Sequence, residues 1–218
     1  MAKLTGALLS MGAAGTIGKT LTFAKWKGVA YARQRVIPAN PKTTKQTNNR
    51  AIWSMIGAAW LYAPSAIQGA FNAFASGKSL TGRNKFFSDN QKLLATDPAA
   101  TDLTGFVMSP GNNGGLPATN LVITPGALSL TVEADVPPAP AGWTLVKAHA
   151  AALLNQNPTD AFSGTWFYAS DDTAPFSVTL TGLQAATEYA VGFFLEWMRP
   201  DGSTAYSISL TGTGTTNA

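Results

Sequence analysis

From about residue 119 onward, apolar and polar residues alternate in short runs divided by Pro, Gly and Asp. ALSLTVEAD places Leu128, Leu130 and Val132 on one face, and TEYAVGFFLEWM and STAYSISLTGT repeat the pattern later. A period of two belongs to a strand, whose successive side chains point to opposite faces. Short strands with turn residues about every 10 positions indicate a β-sandwich over residues 119–218. WTLVKAHAAALL, WFYAS and FSVTLTGL supply the strands between, and the Ala-rich stretch 147–153 fits either a strand or a short helix.

The first 98 residues read differently. Leu21 and Phe23 alternate with polar neighbours, as do Val29 and Tyr31 after Lys27-Gly28, which predicts a β-hairpin over about 20–36. Asn40 suits an N-cap and Pro41 a first helical position. Ile52, Met55, Ile56, Ala59 and Trp60 then follow at helical spacing until Pro64 ends the run. The spacing predicts helices over about 41–62, 65–75 and 82–95, with Trp53, Trp60, Phe71, Phe74 and Phe87 as a small core of their own. The predicted class is therefore α+β in two modules: residues 1–98, a linker over 99–118, and the sandwich over 119–218.

Charge divides at the same place. Residues 1–98 carry thirteen Lys and Arg against Asp89 and Asp97, whereas residues 99–218 carry Lys147 and Arg199 against nine acids. A change of sign on this scale marks modules with different partners. Only 12% of the chain is charged, which hints that some of its surface faces other subunits, so a homo-oligomer is expected.

One motif invites an enzymatic reading. AAGTIGKT at residues 13–20 has the outline of a phosphate-binding loop, in which backbone N–H groups, a lysine and a hydroxyl hold a nucleotide and Mg²⁺. That loop needs a helix after it, and here a hairpin follows, so Gly12, Gly15 and Gly18 are read as flexibility in an N-terminal arm. The chain has no cysteine, and His149 is its only histidine, with no local ligand or nucleophile beside it. Glu133, Asp135, Asp171 and Asp172 lack the spacing of a calcium loop and read as solvated turn residues. No enzyme, cofactor or metal is expected. The leading MAKLTGALLSMGAAG has too short an apolar run for a secretory signal, and no stretch is long enough for a membrane span.

Three resemblances follow. LTGLQAATEYAVGFFLEWMRPDGSTAYSISLTGT resembles the last strands of a fibronectin type III domain. The resemblance implies that Leu183 and Tyr189 form a tyrosine corner, Asp201-Gly202 the last hairpin turn, and Ser203–Ser207 the start of the final strand. Residues 4–92 resemble a family of uncharacterised bacteriophage and prophage proteins, on Trp26, Gly28, Arg33, Asn40, Pro41, Thr43, Gln46, Arg50, Trp60, Leu80, Gly82, Asn84 and Phe86. Phe71 stands where that family usually has Trp, and Ala-Pro-Ser where acids are common.

The second resemblance implies a structural protein of the virion, assembled in the bacterial host cytoplasm, such as a capsid decoration, neck or tail accessory protein. Its partners would be other virion proteins. The basic module would dock through Lys25, Trp26, Lys27, Arg33, Arg35, Lys42 and Lys45, and the sandwich would be presented outward. A DNA-binding architectural or packaging role for the same basic module is the alternative. The Trp and Phe spacing of the helices is also similar to an HMG box, which implies minor-groove wedges and ranks behind docking. A lectin or carbohydrate-active enzyme ranks lower still, because clustered carboxylates are missing.

Overall fold

The computed structural model describes residues 2–3, 15–37, 39–40, 42–96, 102–112 and 114–218. Its contacts divide the chain into two units, Met1–Thr43 and Thr44–Ala218. Gly12, Ala13, Ala14 and Pro41, singled out above, lie outside the described residues.

In the first unit, β1 (Ala2–Lys3), β2 (Gly15–Ile17), β3 (Leu21–Trp26) and β4 (Val29–Gln34) form an antiparallel sheet in the order β1-β4-β3-β2. Both of its tight turns use two residues in the left-handed region: Gly18-Lys19 at φ 57° and 58°, and Lys27-Gly28 at 46° and 82°. Such mirror-image turns match the twist of paired strands. The Thr20 N–H closes the first turn on the Ile17 carbonyl at 3.1 Å. The Gly15 and Gly18 of the loop-like motif thus belong to a strand and a hairpin turn, correcting their reading as a flexible arm.

The second unit begins with α1 (Thr44–Tyr62), α2 (Ser65–Ala75) and α3 (Gly82–Thr96). α1 starts four residues after Asn40, so Asn40 is not its N-cap; Lys42, at φ 48°, breaks the helical path between them. Pro64 separates α1 from α2 with an extended ψ of 148°. At the start of α3, Thr81 Oγ1 accepts the Asn84 N–H, capping the first turn. The next residue, Gly82, lies against α2, where a Cβ would come within 2.7 Å of the Asn72 backbone nitrogen.

The strands that follow are β5 (Thr119–Pro125), β6 (Ser129–Asp135), β7 (Thr144–Leu154), β8 (Trp166–Asp171), β9 (Ser177–Thr181), β10 (Glu188–Met198), β11 (Thr204–Tyr206) and β12 (Leu210–Thr215). One sheet runs β11-β10-β7-β8, with β12 also pairing β10, and the other runs β5-β6-β9. Between them lies a core of Leu130, Val132, Val178 and Leu180 against Ala150, Val191, Phe193 and Trp197. This is an antiparallel β-sandwich of two sheets. Tyr189 is buried and its hydroxyl accepts the Gln184 N–H at 2.9 Å, with Leu183 buried nearby, forming the expected corner. Gly202, at φ 78°, makes the last hairpin turn. Leu128, by contrast, is 54% exposed at φ 145°, outside the face that Leu130 and Val132 share.

A second core sits on the outer face of the larger sheet. Ala151 and Leu153 of β7 and Ala190 and Phe194 of β10 pack with Ile52, Met55, Ile56, Ile67, Phe71 and Phe86 of the helices. The helices therefore share their core with the sandwich, and the chain divides after Thr43 instead of near residues 99–118. The expected helical core changes accordingly. Phe86 is fully buried, Phe87 packs against the same core while only partly buried, and Trp53 is 49% exposed. Residues 147–153 are strand throughout, and their run of alanines reflects burial on both faces.

The described part of the expected linker is packed structure. Leu103, Phe106 and Met108 are buried in the second core. Asn90 of α3, itself fully buried, accepts the Val107 N–H at 2.8 Å and donates to the Val107 carbonyl at 3.1 Å. Next, Ser109 Oγ donates to the Ser207 carbonyl, the Ser209 N–H reaches the Ser109 carbonyl, and Pro110 bridges Ile208. The segment thus covers backbone groups where β11 gives way to β12.

A shared core predicts shared unfolding. Phe86→Ala should lower stability by about 3–5 kcal/mol. Residue-resolved hydrogen exchange should then show α1–α3, β7 and β10 losing protection together. Strands that keep full protection while the helices lose it would contradict the single unit.

Candidate docking surface

The first unit carries seven Lys and Arg, and no Asp or Glu, in residues 1–43. Cross-strand register assigns its side chains to faces. Opposed residues share a face, so Thr22 and Arg33, Ala24 and Tyr31, and Trp26 and Val29 form one side. Leu21 with Gln34, Phe23 with Ala32, Lys25 with Ala30, and Ile17 with Leu21 form the other. Trp26 is 67% exposed, with Lys27 Nζ 5.0 Å from its ring centroid. Ile17, Leu21, Val29, Val36 and Ile37 are exposed as well, and Phe23 alone among the described residues of this unit is a buried hydrophobic. Both faces therefore present apolar surface, bordered by cations.

The seven expected docking residues are not one patch. Trp26 and Arg33 lie on one face and Lys25 on the opposite one. Lys27 occupies the turn, and Arg35 follows β4, its N–H bonded to the Thr20 carbonyl at 2.6 Å. Lys42 is exposed beyond the sheet, and Lys45 belongs to the first turn of α1 in the other unit. Among the helical aromatics, Phe71 and Phe86 are fully buried against one another at 5.1 Å and Trp60 packs against both, so these three are not exposed as wedges for DNA.

A polar cluster that the sequence did not nominate lies on the outer face of the larger sheet. His149 is buried, with Nε2 2.9 Å from Glu196 Oε2 and Nδ1 2.9 Å from the Tyr168 hydroxyl. Its ring stacks on Phe194 at 4.9 Å. Tyr206 reaches the other Glu196 oxygen at 3.5 Å. The hydrogen bond from His149 holds the Glu196 carboxyl below the usual glutamate range, against the opposing effect of burial. Burial, aided by the Glu196 charge, pushes the Tyr206 hydroxyl up to about 12. Burial also raises Tyr168. Both ring nitrogens of His149 are committed to protein partners, so the imidazole offers none to a substrate, and the cluster acts as a structural clamp across β7, β8 and β10. Alternation along β7 marks His149 as outward-facing. Only pairing with β10 brings Glu196 to it.

The four acids once considered together also have local partners. Asp171 accepts the Thr173 and Ser177 N–H groups, which lower its pKa, Glu133 accepts the Ser177 hydroxyl, and Asp135 accepts the Asn120 amide. Asp172 accepts the Thr173 hydroxyl. Among the described residues, no group of three or more His, Asp or Glu side chains is placed to hold a metal, and no helix is long and apolar enough to cross a membrane.

No family model matches the chain, and no curated protein matches it. Among solved structures, a fibronectin type III domain of the human collagen α-1(XX) chain aligns at 26% identity and TM-score 0.36, over 50% of this chain and 92% of its own. A computationally redesigned β-sandwich protein aligns at 20% identity and TM-score 0.34, over 47% of this chain and 91% of its own. The assignment of the sandwich rests on the strand order, the register and the tyrosine corner.

The Glu196 carboxylate binds its partners in the folded state and so titrates below its unfolded value. Its stabilising contribution is present above the ordinary glutamate range and disappears as pH falls through the lowered folded value. Glu196→Gln should cost about 1–3 kcal/mol near neutral pH. Denaturant titrations at a series of pH values should show the gap to wild type closing as the medium becomes acidic. A gap that stays constant into strong acid would contradict the assignment.

Proposed function

We propose that the protein is a structural component of a bacteriophage particle, a capsid decoration, neck or tail accessory protein without enzymatic activity. It docks through the first unit and presents the helix-covered sandwich. The observation that carries this reading is the four-stranded sheet of residues 2–34, which exposes Trp26, Val29, Ile17 and Leu21 on its two faces amid cations and no acid. Small sheets gain stability by covering an apolar face. A partner that covers this one removes apolar area from water, and an acidic partner surface matches its charge. The outer strands β1 and β2 also offer backbone groups for strand addition. The resemblance over residues 4–92 supports the phage setting.

The test is incorporation. Arg33→Glu combined with Arg35→Glu should leave circular dichroism of the second unit unchanged while reducing the protein in gradient-purified particles to background. Normal incorporation of that variant overturns the docking surface. Quantitative mass spectrometry before and after DNA ejection separates the reading from its alternative. Retention with the empty shell or tail at fixed stoichiometry supports the structural role, and departure with the DNA supports the nucleic-acid one.

A further inference from the structure

The hairpin of β3 and β4 projects beyond its sheet. Among the described residues, β2 pairs with β3 only as far as Phe23, and β1 pairs with β4 only as far as Tyr31. The last two pairs, Lys25 with Ala30 and Trp26 with Val29, therefore extend past both neighbouring strands to the Lys27-Gly28 turn. Paired strands lie about 5 Å apart, so this end is a narrow, convex prong. Trp26 and Val29 share one face of it and are 67% and 42% exposed. Lys25 and Lys27 carry its charge, and neither pairs with a carboxylate among the described residues. The Lys27 ammonium lies 5.0 Å from the Trp26 ring centroid, a neutral partner that leaves its charge in place.

The second unit carries a hollow of matching chemistry on the β5-β6-β9 sheet. Val122, 52% exposed, stands opposite Glu133 there, and Asp135 and Pro175 join them in the lining. Glu133 and Asp135 are exposed, and no Lys or Arg lines the hollow. Their hydrogen-bond partners, the Ser177 hydroxyl and the Asn120 amide, are uncharged, so the negative charge of the hollow is not neutralised. The Ser177 N–H donates to Asp171 at 3.0 Å, which puts a third acid beside it.

We infer that the hairpin end of one copy inserts into this hollow on a second copy, building a head-to-tail assembly of the protein. The inference rests on the first unit's role as a docking element and names its partner. Shape and charge choose that partner together. A convex end with two lysines and an exposed indole calls for a concave acidic surface with apolar residues within it. The hollow supplies Glu133 and Asp135 for the first need, and Val122 and Pro175 for the second. Insertion covers Trp26 and Val29, which the sheet leaves in water. The wider charge distribution has the same sense: residues 1–43 hold seven Lys and Arg and no acid, and residues 99–218 hold nine acids against Lys147 and Arg199. The two surfaces differ, so the contact is heterologous. Each copy keeps one of them for a further copy, and the assembly closes as a ring or continues as a stack.

Sedimentation velocity of the full chain over a wide concentration range tests it. Wild type should form concentration-dependent oligomers that weaken as salt is raised. Lys25→Glu with Lys27→Glu, and separately Glu133→Lys with Asp135→Lys, should each weaken self-association about 100-fold or more. An equimolar mixture of the two variants should regain association that neither has alone, because one brings the intact hairpin end and the other the intact hollow. Trp26→Ser, which keeps every charge, should weaken association about 10-fold or more with unchanged circular dichroism. A wild type that stays monomeric throughout overturns the inference. So do oligomers that survive both double substitutions, a mixture that fails to reassociate, and a Trp26→Ser variant that associates as wild type does. Particle incorporation separates this failure from failure of the docking role. A monomeric wild type whose Arg33→Glu, Arg35→Glu variant is still lost from particles overturns self-assembly and leaves docking standing. Normal incorporation of that variant overturns docking, whatever the sedimentation shows.

Discussion

Over the middle of β7 and β10 the sheet has no solvent face. Ala150, Ala152, Val191 and Phe193 point into the sandwich, while Ala151, Leu153, Ala190 and Phe194 point into the helices. The larger unit depends on this double burial. It brings a helical layer, a sheet and a second sheet together around two cores that share the same strands. It also explains the small residues. At Gly192 a Cβ would come within 2.9 Å of Met108 Cγ, so the buried loop reaches the sheet only because that position lacks a side chain. Strands buried on both faces read as nearly continuous apolar runs, as AHAAALL and AVGFFL do.

Polar groups in such a layer need partners, because an unpaired buried group is costly. Asn90 satisfies the backbone at Val107, and Ser109, Ser207 and Ser209 join the loop to the end of β11 and the start of β12. His149 and Glu196 satisfy one another at the margin of the helical layer, with two tyrosines completing the set. These contacts explain how the histidine of β7 is accommodated in a buried position.

The first unit has the opposite character. Among the described residues its four strands have no helical layer of their own comparable to the one over β7 and β10, and most of their large apolar residues are exposed. The two units thus differ: one buries its larger sheet on both faces, and the other leaves most of its apolar strand residues exposed.

Local chemistry was legible in the sequence. The hairpin at Lys27-Gly28, the ends of α2 and α3 and the strands β6, β8, β9 and β10 follow from periodicity, turn residues and short-range spacing, while the tyrosine corner and the Asp201-Gly202 turn were implied by the resemblance to fibronectin type III domains. Those signals act within a few residues and do not need the rest of the chain. The domain boundary, the packing of residues 102–112, the inward turn of Phe86 and the His149–Glu196 pair were decided by tertiary structure. A change of charge and composition near residue 98 marks where the local pattern changes, not where the packing divides. Whether a strand's second face meets water or a helix depends on residues about a hundred positions away, as the Trp166 indole shows by donating to the Ala59 carbonyl at 2.8 Å. Only folding brings such groups together.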